Sequence, residues 1–170
     1  MLPCVPMTTL DEIQACLSRP RLAFVGLSTD ERDFSRAIAK DLLERGYDVV
    51  PVNPKAERIA ELPAYPTVAA IPEPVQWVLV MTPPQASAAV VADAHAAGVD
   101  HVWLHRGVGH GAVSDEAVLL AKTHGMTLVA GECPLMFLGK PGFPHNVHAF
   151  FKKLAHHYPT AAAVDAPAKA

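Results

Sequence analysis

Residues 22–28 read Leu-Ala-Phe-Val-Gly-Leu-Ser, and this stretch decides the fold class. A short apolar run that ends at a glycine is typical of a buried strand in a parallel sheet. A helical pattern follows over residues 35–45, and a second apolar run at 49–52 stops at Asn53 and Pro54. A strand, a helix and a second strand within about 30 residues indicate a parallel βαβ unit.

The same alternation continues through three more strands. The predicted strands cover residues 22–25, 49–52, 75–81, 101–104 and 126–130, and the helices between them cover 35–45, 84–97 and 115–124. Thr82 is the expected cap of the second of these helices, and Ser114 caps the third. Residues 55–74 are the exception, being irregular with at most one helical turn near 56–62. We therefore expect an α/β protein with a Rossmann-like, doubly wound, five-stranded parallel sheet.

Each end of the chain adds a helix to this sheet. Thr9 and Glu12 form a capping box at the start of the first, and apolar residues recur at helical spacing over 146–157. The predicted organisation is a leading helix at 1–20, a Rossmann-like domain at 21–138, a C-terminal helix at 139–158 that packs on or extends the domain, and a flexible tail at 159–170.

The composition indicates a globular chain without a general affinity for nucleic acid. Of 170 residues, 51% are hydrophobic and 18% are charged, and the formal net charge is −3. This balance argues against a basic nucleic-acid-binding face but is compatible with a local basic pocket for a phosphorylated small molecule. The three cysteines are scattered and form no CxxC pair, which argues against a disulfide framework. With no signal peptide or membrane-spanning apolar run visible, we expect a cytoplasmic protein that does not enter a membrane.

The loops at the carboxyl ends of the strands are the predicted binding site, because ligands of open parallel sheets bind there. Backbone amides and a helix N-terminus in such loops can hold phosphate. Cations in two of these loops favour a nucleotide-like ligand, whereas Arg36 is interpreted as a solvated surface charge. The candidate binding residues are Gly26, Leu27, Ser28, Thr29, Arg32, Ser35, Asn53, Pro54, Lys55, Thr82, Pro83, Pro84, His105, Arg106, Gly107 and Cys133.

The fingerprint of NAD-binding domains is not met. After Gly26, the G-x-G-x-x-G pattern requires glycine where this chain has Ser28 and Glu31. The acid that grips a ribose diol at the end of the second strand is replaced by Asn53-Pro54-Lys55. A lysine there favours a phosphorylated group instead.

Over residues 22–138 the chain resembles the stand-alone CoA-binding domain proteins, which are small Rossmann-type domains. It is more distantly similar to the CoA-binding domains of the succinyl-CoA synthetase alpha subunit and of ADP-forming acyl-CoA synthetases. The segments that carry the resemblance are 24–28 (Phe-Val-Gly-Leu-Ser), 46–54 (Gly-Tyr-Asp-Val-Val-Pro-Val-Asn-Pro), 71–75 (Ile-Pro-Glu-Pro-Val), 98–104 (Gly-Val-Asp-His-Val-Trp-Leu) and 132–134 (Glu-Cys-Pro).

The resemblance implies coenzyme A, or an acyl-CoA, as the ligand. It places residues 26–29 at the CoA diphosphate and Lys55 at the phosphorylated adenosine end. It places the loop 82–84 on the adenine or the pantetheine arm, with the loop at Arg106 on the other side of the cofactor. Because CoA carries an extra ribose phosphate, a lysine after the second strand agrees with this assignment.

Ligase chemistry is not expected from this chain alone. In the synthetases, a phosphohistidine loop and a partner domain transfer the phosphoryl group, and only about 36 residues follow Pro134 here. His110 lies after the fourth strand, which is the wrong place for that histidine. A thiol at Cys133 could form a mixed disulfide with CoA, but packing is the favoured role because no basic residue adjoins it. The histidines at 145, 148, 156 and 157 are interpreted as helix-end charges, and no metal site is predicted.

Two other functions are kept as alternatives. One is a dinucleotide-binding oxidoreductase or redox sensor of the NAD(P) type, and the other is a regulatory or interaction module that has kept the fold but binds no ligand. The predicted partner is a small-molecule CoA ligand, with no nucleic acid and no membrane. The terminal helix with Phe150 and Phe151 could cap the core of the domain or join it to a second copy or an unidentified protein partner.

Overall fold

The computed structural model of the chain describes residues 8–106 and 111–138. Its strands are β1 (Arg21–Val25), β2 (Asp48–Val52), β3 (Arg58–Ile59), β4 (Leu62–Pro63), β5 (Trp77–Val80), β6 (His101–His105) and β7 (Thr127–Glu132). The helices are α1 (Leu10–Leu17), α2 (Phe34–Glu44), α3 (Pro84–Ala96) and α4 (Asp115–Thr123), and a 3₁₀ turn covers Pro134–Met136. The main sheet has five parallel strands in the order β2-β1-β5-β6-β7. The predicted α/β fold with a five-stranded parallel sheet is confirmed.

The helices cover both faces of the sheet, and successive strand residues point to opposite faces. Leu22 and Phe24 of β1 lie in one core cluster with buried residues of α1 and α2. Ala23 and Val25, the intervening residues, lie in the other cluster with buried residues of α3 and α4. The capping box of Thr9 that begins α1 is present as expected. None of the helices in the described ranges is long and apolar enough to cross a bilayer.

Residues 55–74 differ from the prediction. No helical turn forms near 56–62, where β3 and β4 instead pair as a short antiparallel hairpin. The turn between them places Ala60 and Glu61 at φ 49° and 64°. A tight hairpin of this kind normally carries Gly or Asn, and the absence of both explains why its pattern is not recognisable in the sequence. Tyr65 then pairs with Val52 and extends the sheet beyond β2.

The predicted cap of α3 is also wrong. The residue at the N-cap position is Pro83, and no side chain caps the helix. Thr82 lies one residue earlier, where its Oγ1 is 3.2 Å from Ser87 Oγ. Two consecutive prolines fix the entry of the chain into the helix, so a side-chain cap is not needed. The predicted helix over 146–157 and the tail lie outside the described residues.

Candidate functional site

The strand ends meet at one edge of the sheet, where β1 lies between β2 and β5. Gly26 follows β1 at φ +93°, and a Cβ atom there would lie 2.8 Å from the carbonyl carbon of Met81. The Gly26 amide donates to the Val52 carbonyl at 3.3 Å. Only glycine allows this close approach of the first loop to its neighbours. The edge therefore brings together the loops after β1, β2 and β5.

The loop between β1 and α2 is held by a chain of hydrogen bonds around Ser35. The Asp33 carboxylate caps α2, accepting the Ser35 amide at 2.8 Å and the Ser35 hydroxyl at 2.6 Å. The same hydroxyl oxygen accepts the Ser28 amide at 3.0 Å. The amides of Ser28 and Ser35 are therefore used within the protein. Sequence reasoning missed Asp33, although an acid just before a helical pattern is a recognisable N-cap signal.

Two arginines supply positive charge to this loop. Arg32 has a side chain that is 91% exposed and forms an ion pair only with Asp30 among the described residues. The Arg32 amide and guanidinium, as hydrogen-bond donors, lower the pKa of the Asp30 carboxyl. Arg36 donates to the carbonyls of Ser28 at 3.5 Å and Thr29 at 3.3 Å. Arg36 is thus half-buried and contacts the loop, in addition to the solvated surface charge that the sequence predicted.

The loop after β2 carries Asn53, Pro54 and Lys55. Asn53 is half-buried, and its Nδ2 donates to the Leu27 carbonyl at 3.2 Å. Its Oδ1 accepts the Lys55 amide at 2.9 Å. The Lys55 side chain is exposed, and no carboxylate in the described part of the chain pairs with it. Its ammonium is therefore available to an anion at this edge.

The loops after β6 and β7 lie at the same end of the sheet, beyond the loop after β5. His105 is buried, with its ring 6.1 Å from the ring of Phe34 at the start of α2. Arg106 is exposed, and Gly107 lies outside the described residues. Cys133 follows β7 and is 3% exposed within the core cluster that includes residues of α1 and α2. Phe34 was not predicted as part of the site, since its partner is distant in sequence.

A groove of about 660 Å³ adjoins this edge. It runs along the outer side of α2, between that helix and the β3–β4 hairpin. Leu27 and Arg32 are the predicted site residues that line it, and Phe34, Ala60 and Leu62 add apolar surface. The groove thus overlaps the predicted site at the first loop and extends away from the strand ends.

These features define a Rossmann-like domain in which the loops after β1, β2 and β5 meet at the edge of the sheet where ligands of this fold class bind. Comparison with known families identifies it further. Residues 20–138 match the family model described as the CoA binding domain. The chain belongs to this family.

Relatives of the chain include both stand-alone proteins and part of a larger enzyme. An uncharacterised Bacillus subtilis protein, YneT, is 27% identical over 123 residues, covering 72% of this chain and 88% of YneT. A solved structure of a hypothetical protein from Pyrococcus horikoshii is 31% identical with a TM-score of 0.67, covering 73% of this chain and 85% of that one. The dinucleotide-forming acetyl-coenzyme A synthetase 1 of Candidatus Korarchaeum cryptofilum is 26% identical with a TM-score of 0.61. That similarity covers 70% of this chain but 27% of the synthetase.

Proposed function

We propose that this protein binds coenzyme A or an acyl-CoA at the carboxyl edge of its sheet, without ligase chemistry of its own. Membership of the CoA binding domain family is the observation that carries the proposal. The similarity to the acetyl-CoA synthetase concerns about a quarter of that enzyme, so it supports a shared binding domain and not a shared reaction.

The proposed binding mode follows the charges and shape of the edge. The exposed ammonium of Lys55 binds the ribose phosphate of CoA, and Arg32 lies near the diphosphate. The loop from Gly26 to Thr29 approaches the diphosphate, while Arg36 donates to the carbonyls of Ser28 and Thr29. The remaining contacts come from the residues after β5, β6 and β7, namely Thr82, Pro83, Pro84, His105, Arg106, Gly107 and Cys133.

Calorimetric titration with CoA, dephospho-CoA and NAD tests the ligand. We expect CoA to bind most tightly, since dephospho-CoA lacks the ribose phosphate and NAD presents a diol that Asn53 and Lys55 do not complement. Tighter binding of NAD would favour a dinucleotide-binding oxidoreductase or sensor. If none of the three binds, a regulatory module without a ligand is the better description.

Lys55→Ala tests the proposed phosphate contact. A charge-assisted hydrogen bond contributes about 1.5–3 kcal/mol, so CoA affinity should fall roughly ten- to hundredfold. Dephospho-CoA should lose much less, and the melting temperature should barely change because Lys55 is exposed. Lys122→Ala, at an exposed position in the last turn of α4, is the matched control and should leave both affinities unchanged. Equal losses of affinity for CoA and dephospho-CoA would mean that Lys55 contacts the diphosphate or maintains the conformation of the loop.

A further inference from the structure

Every polar atom of Asn53 makes a hydrogen bond inside the protein. Its backbone amide donates to the Tyr65 carbonyl at 2.9 Å, and its backbone carbonyl accepts the Ala56 amide at 3.4 Å. Its side-chain Nδ2 donates to the Leu27 carbonyl at 3.2 Å, and its Oδ1 accepts the Lys55 amide at 2.9 Å. The side chain therefore joins the loop after β1 directly to the loop after β2.

This arrangement fixes the start of the Lys55 side chain. An Asn whose Oδ1 accepts the amide two residues later closes a tight turn, and the intervening Pro54 fixes φ within it. The bond to Leu27 then ties that turn to the neighbouring loop. The two hydrogen bonds of the half-buried Asn53 side chain thus fix the Lys55 backbone, and with it the region that the Lys55 ammonium can reach.

We propose that Asn53 is a positioning residue that makes the site selective for a ligand with a phosphorylated ribose, by holding Lys55 against the loop after β1. The proposal rests on the proposed function, since it assigns Asn53 a role in the same site. It also changes the interpretation of Asn53, which the sequence suggested as a direct ligand contact.

The test is a double-mutant cycle between Asn53 and Lys55, with CoA and dephospho-CoA as the titrated ligands. Asn53→Ala should weaken CoA binding about tenfold and dephospho-CoA binding much less, as expected for the loss of hydrogen bonds that hold one phosphate contact. The double variant should bind CoA no more weakly than Lys55→Ala alone. Asn53→Ser keeps a weaker form of the turn and should retain part of the selectivity.

The control is Gln76→Ala at the opposite edge of the sheet. The Gln76 side-chain oxygen accepts the Arg21 amide at 3.1 Å. Like Asn53→Ala, Gln76→Ala therefore removes a hydrogen bond between a side-chain amide group and the backbone of another segment. It should change the melting temperature without changing either affinity.

Three results would overturn the proposal in different ways. Equal losses for CoA and dephospho-CoA in Asn53→Ala would show a role in general loop structure alone. Additive effects of Asn53→Ala and Lys55→Ala would show that the two residues act independently. Failure of the unsubstituted protein to bind CoA would overturn the proposed function, and the role of Asn53 with it.

Discussion

Gly26 shows how one residue controls the spacing of three strand ends. Its positive φ and the nearby Met81 backbone exclude any side chain. Gly98 has a similar φ of +78°, but a Cβ atom there would meet nothing within 4 Å. A side chain at Gly98 would therefore meet only the energetic cost of a left-handed backbone, whereas a side chain at Gly26 would also collide with Met81.

We expect Gly98→Ala to lower the free energy of unfolding by about 1 kcal/mol, which is the cost of a left-handed conformation. Gly26→Ala should cost clearly more, because the backbone around Met81 must also move. It should also weaken CoA binding, while Gly98→Ala should not. Urea unfolding with both variants measures the difference. Equal losses of stability would show that the close approach at Gly26 carries no cost.

His101, at the start of β6, makes stability depend on pH. Burial and, to a smaller extent, the nearby Arg19 lower its pKa below the usual 6.5, while Asp100 acts in the opposite direction. The unfolded chain therefore binds a proton at a higher pH than the folded chain does. Stability should fall as the pH is lowered from 6.5 towards the folded pKa of His101.

His101→Gln removes this proton uptake. The drop in melting temperature between about pH 7.5 and about pH 5.5 should be smaller in the variant than in the unsubstituted protein, because the histidine no longer favours the unfolded chain in acid. Thermal scans at the two pH values with both proteins measure it. An unchanged difference would mean that other groups account for the acid sensitivity.

Among the elements, the β3–β4 hairpin carries the clearest local strain. Ala60 and Glu61 have positive φ without being glycine. Glu61→Gly removes the steric cost at one of these positions and should raise the free energy of unfolding by up to about 1 kcal/mol, which urea unfolding measures. Glu57→Gly, just before the hairpin and without a positive φ, is the control and should lower it. Destabilisation by both substitutions would show that Glu61 is not strained.

Most elements could be predicted because the spacing of their apolar residues agrees with the glycine, proline and capping residues at their ends. Phe24 and its neighbours form an apolar run, and the helices after them repeat apolar residues on one face. The hairpin could not be predicted, since its turn lacks the glycine that marks such turns. Thr82 has the residue type of a helix cap, and nothing in the sequence shows that the two prolines make a cap unnecessary.

The proximity of the loops at the strand ends was predictable, but the contacts between them were not. Parallel strands place their carboxyl ends together, so the loops at Gly26 and Asn53 were expected to be neighbours. Whether Asn53 points to a ligand or to Leu27 depends on the exact distance between two loops, which the sequence does not encode locally. The packing of Phe34 against His105 is likewise a contact over a long sequence separation.

At the scale of the whole molecule, further residues bond to the two outermost strands of the sheet, β2 and β7. On one side, Tyr65 pairs beside β2. On the other side, the Thr8 hydroxyl lies 3.0 Å from the Ala130 amide and 3.1 Å from its carbonyl. Uncovered outer strands promote association between chains, and these contacts occupy some of the free backbone groups of β2 and β7. The Thr8 contact also ties the first described residue to β7.

Cys16 reports whether α1 unfolds with the rest of the domain. It is fully buried, and burial raises the pKa of its thiol to about 12. Hydrogen bonds from Tyr47 to the Leu17 carbonyl, at 2.5 Å, and from Trp77 to the Arg19 carbonyl, at 3.0 Å, hold the end of α1 against the sheet. A thiol reagent should therefore reach Cys16 only when this packing is lost.

We expect labelling of Cys16 in the folded protein to be slower than in urea by at least about a thousandfold, if α1 opens only in global unfolding. Peptide mass spectrometry after timed exposure to a thiol reagent measures Cys16 separately from the other cysteines. The labelling rate should rise with low concentrations of urea as steeply as the population of unfolded protein does, because both report the same opening. Fast labelling that is insensitive to urea would contradict this expectation, since it would mean that α1 detaches while the sheet stays folded.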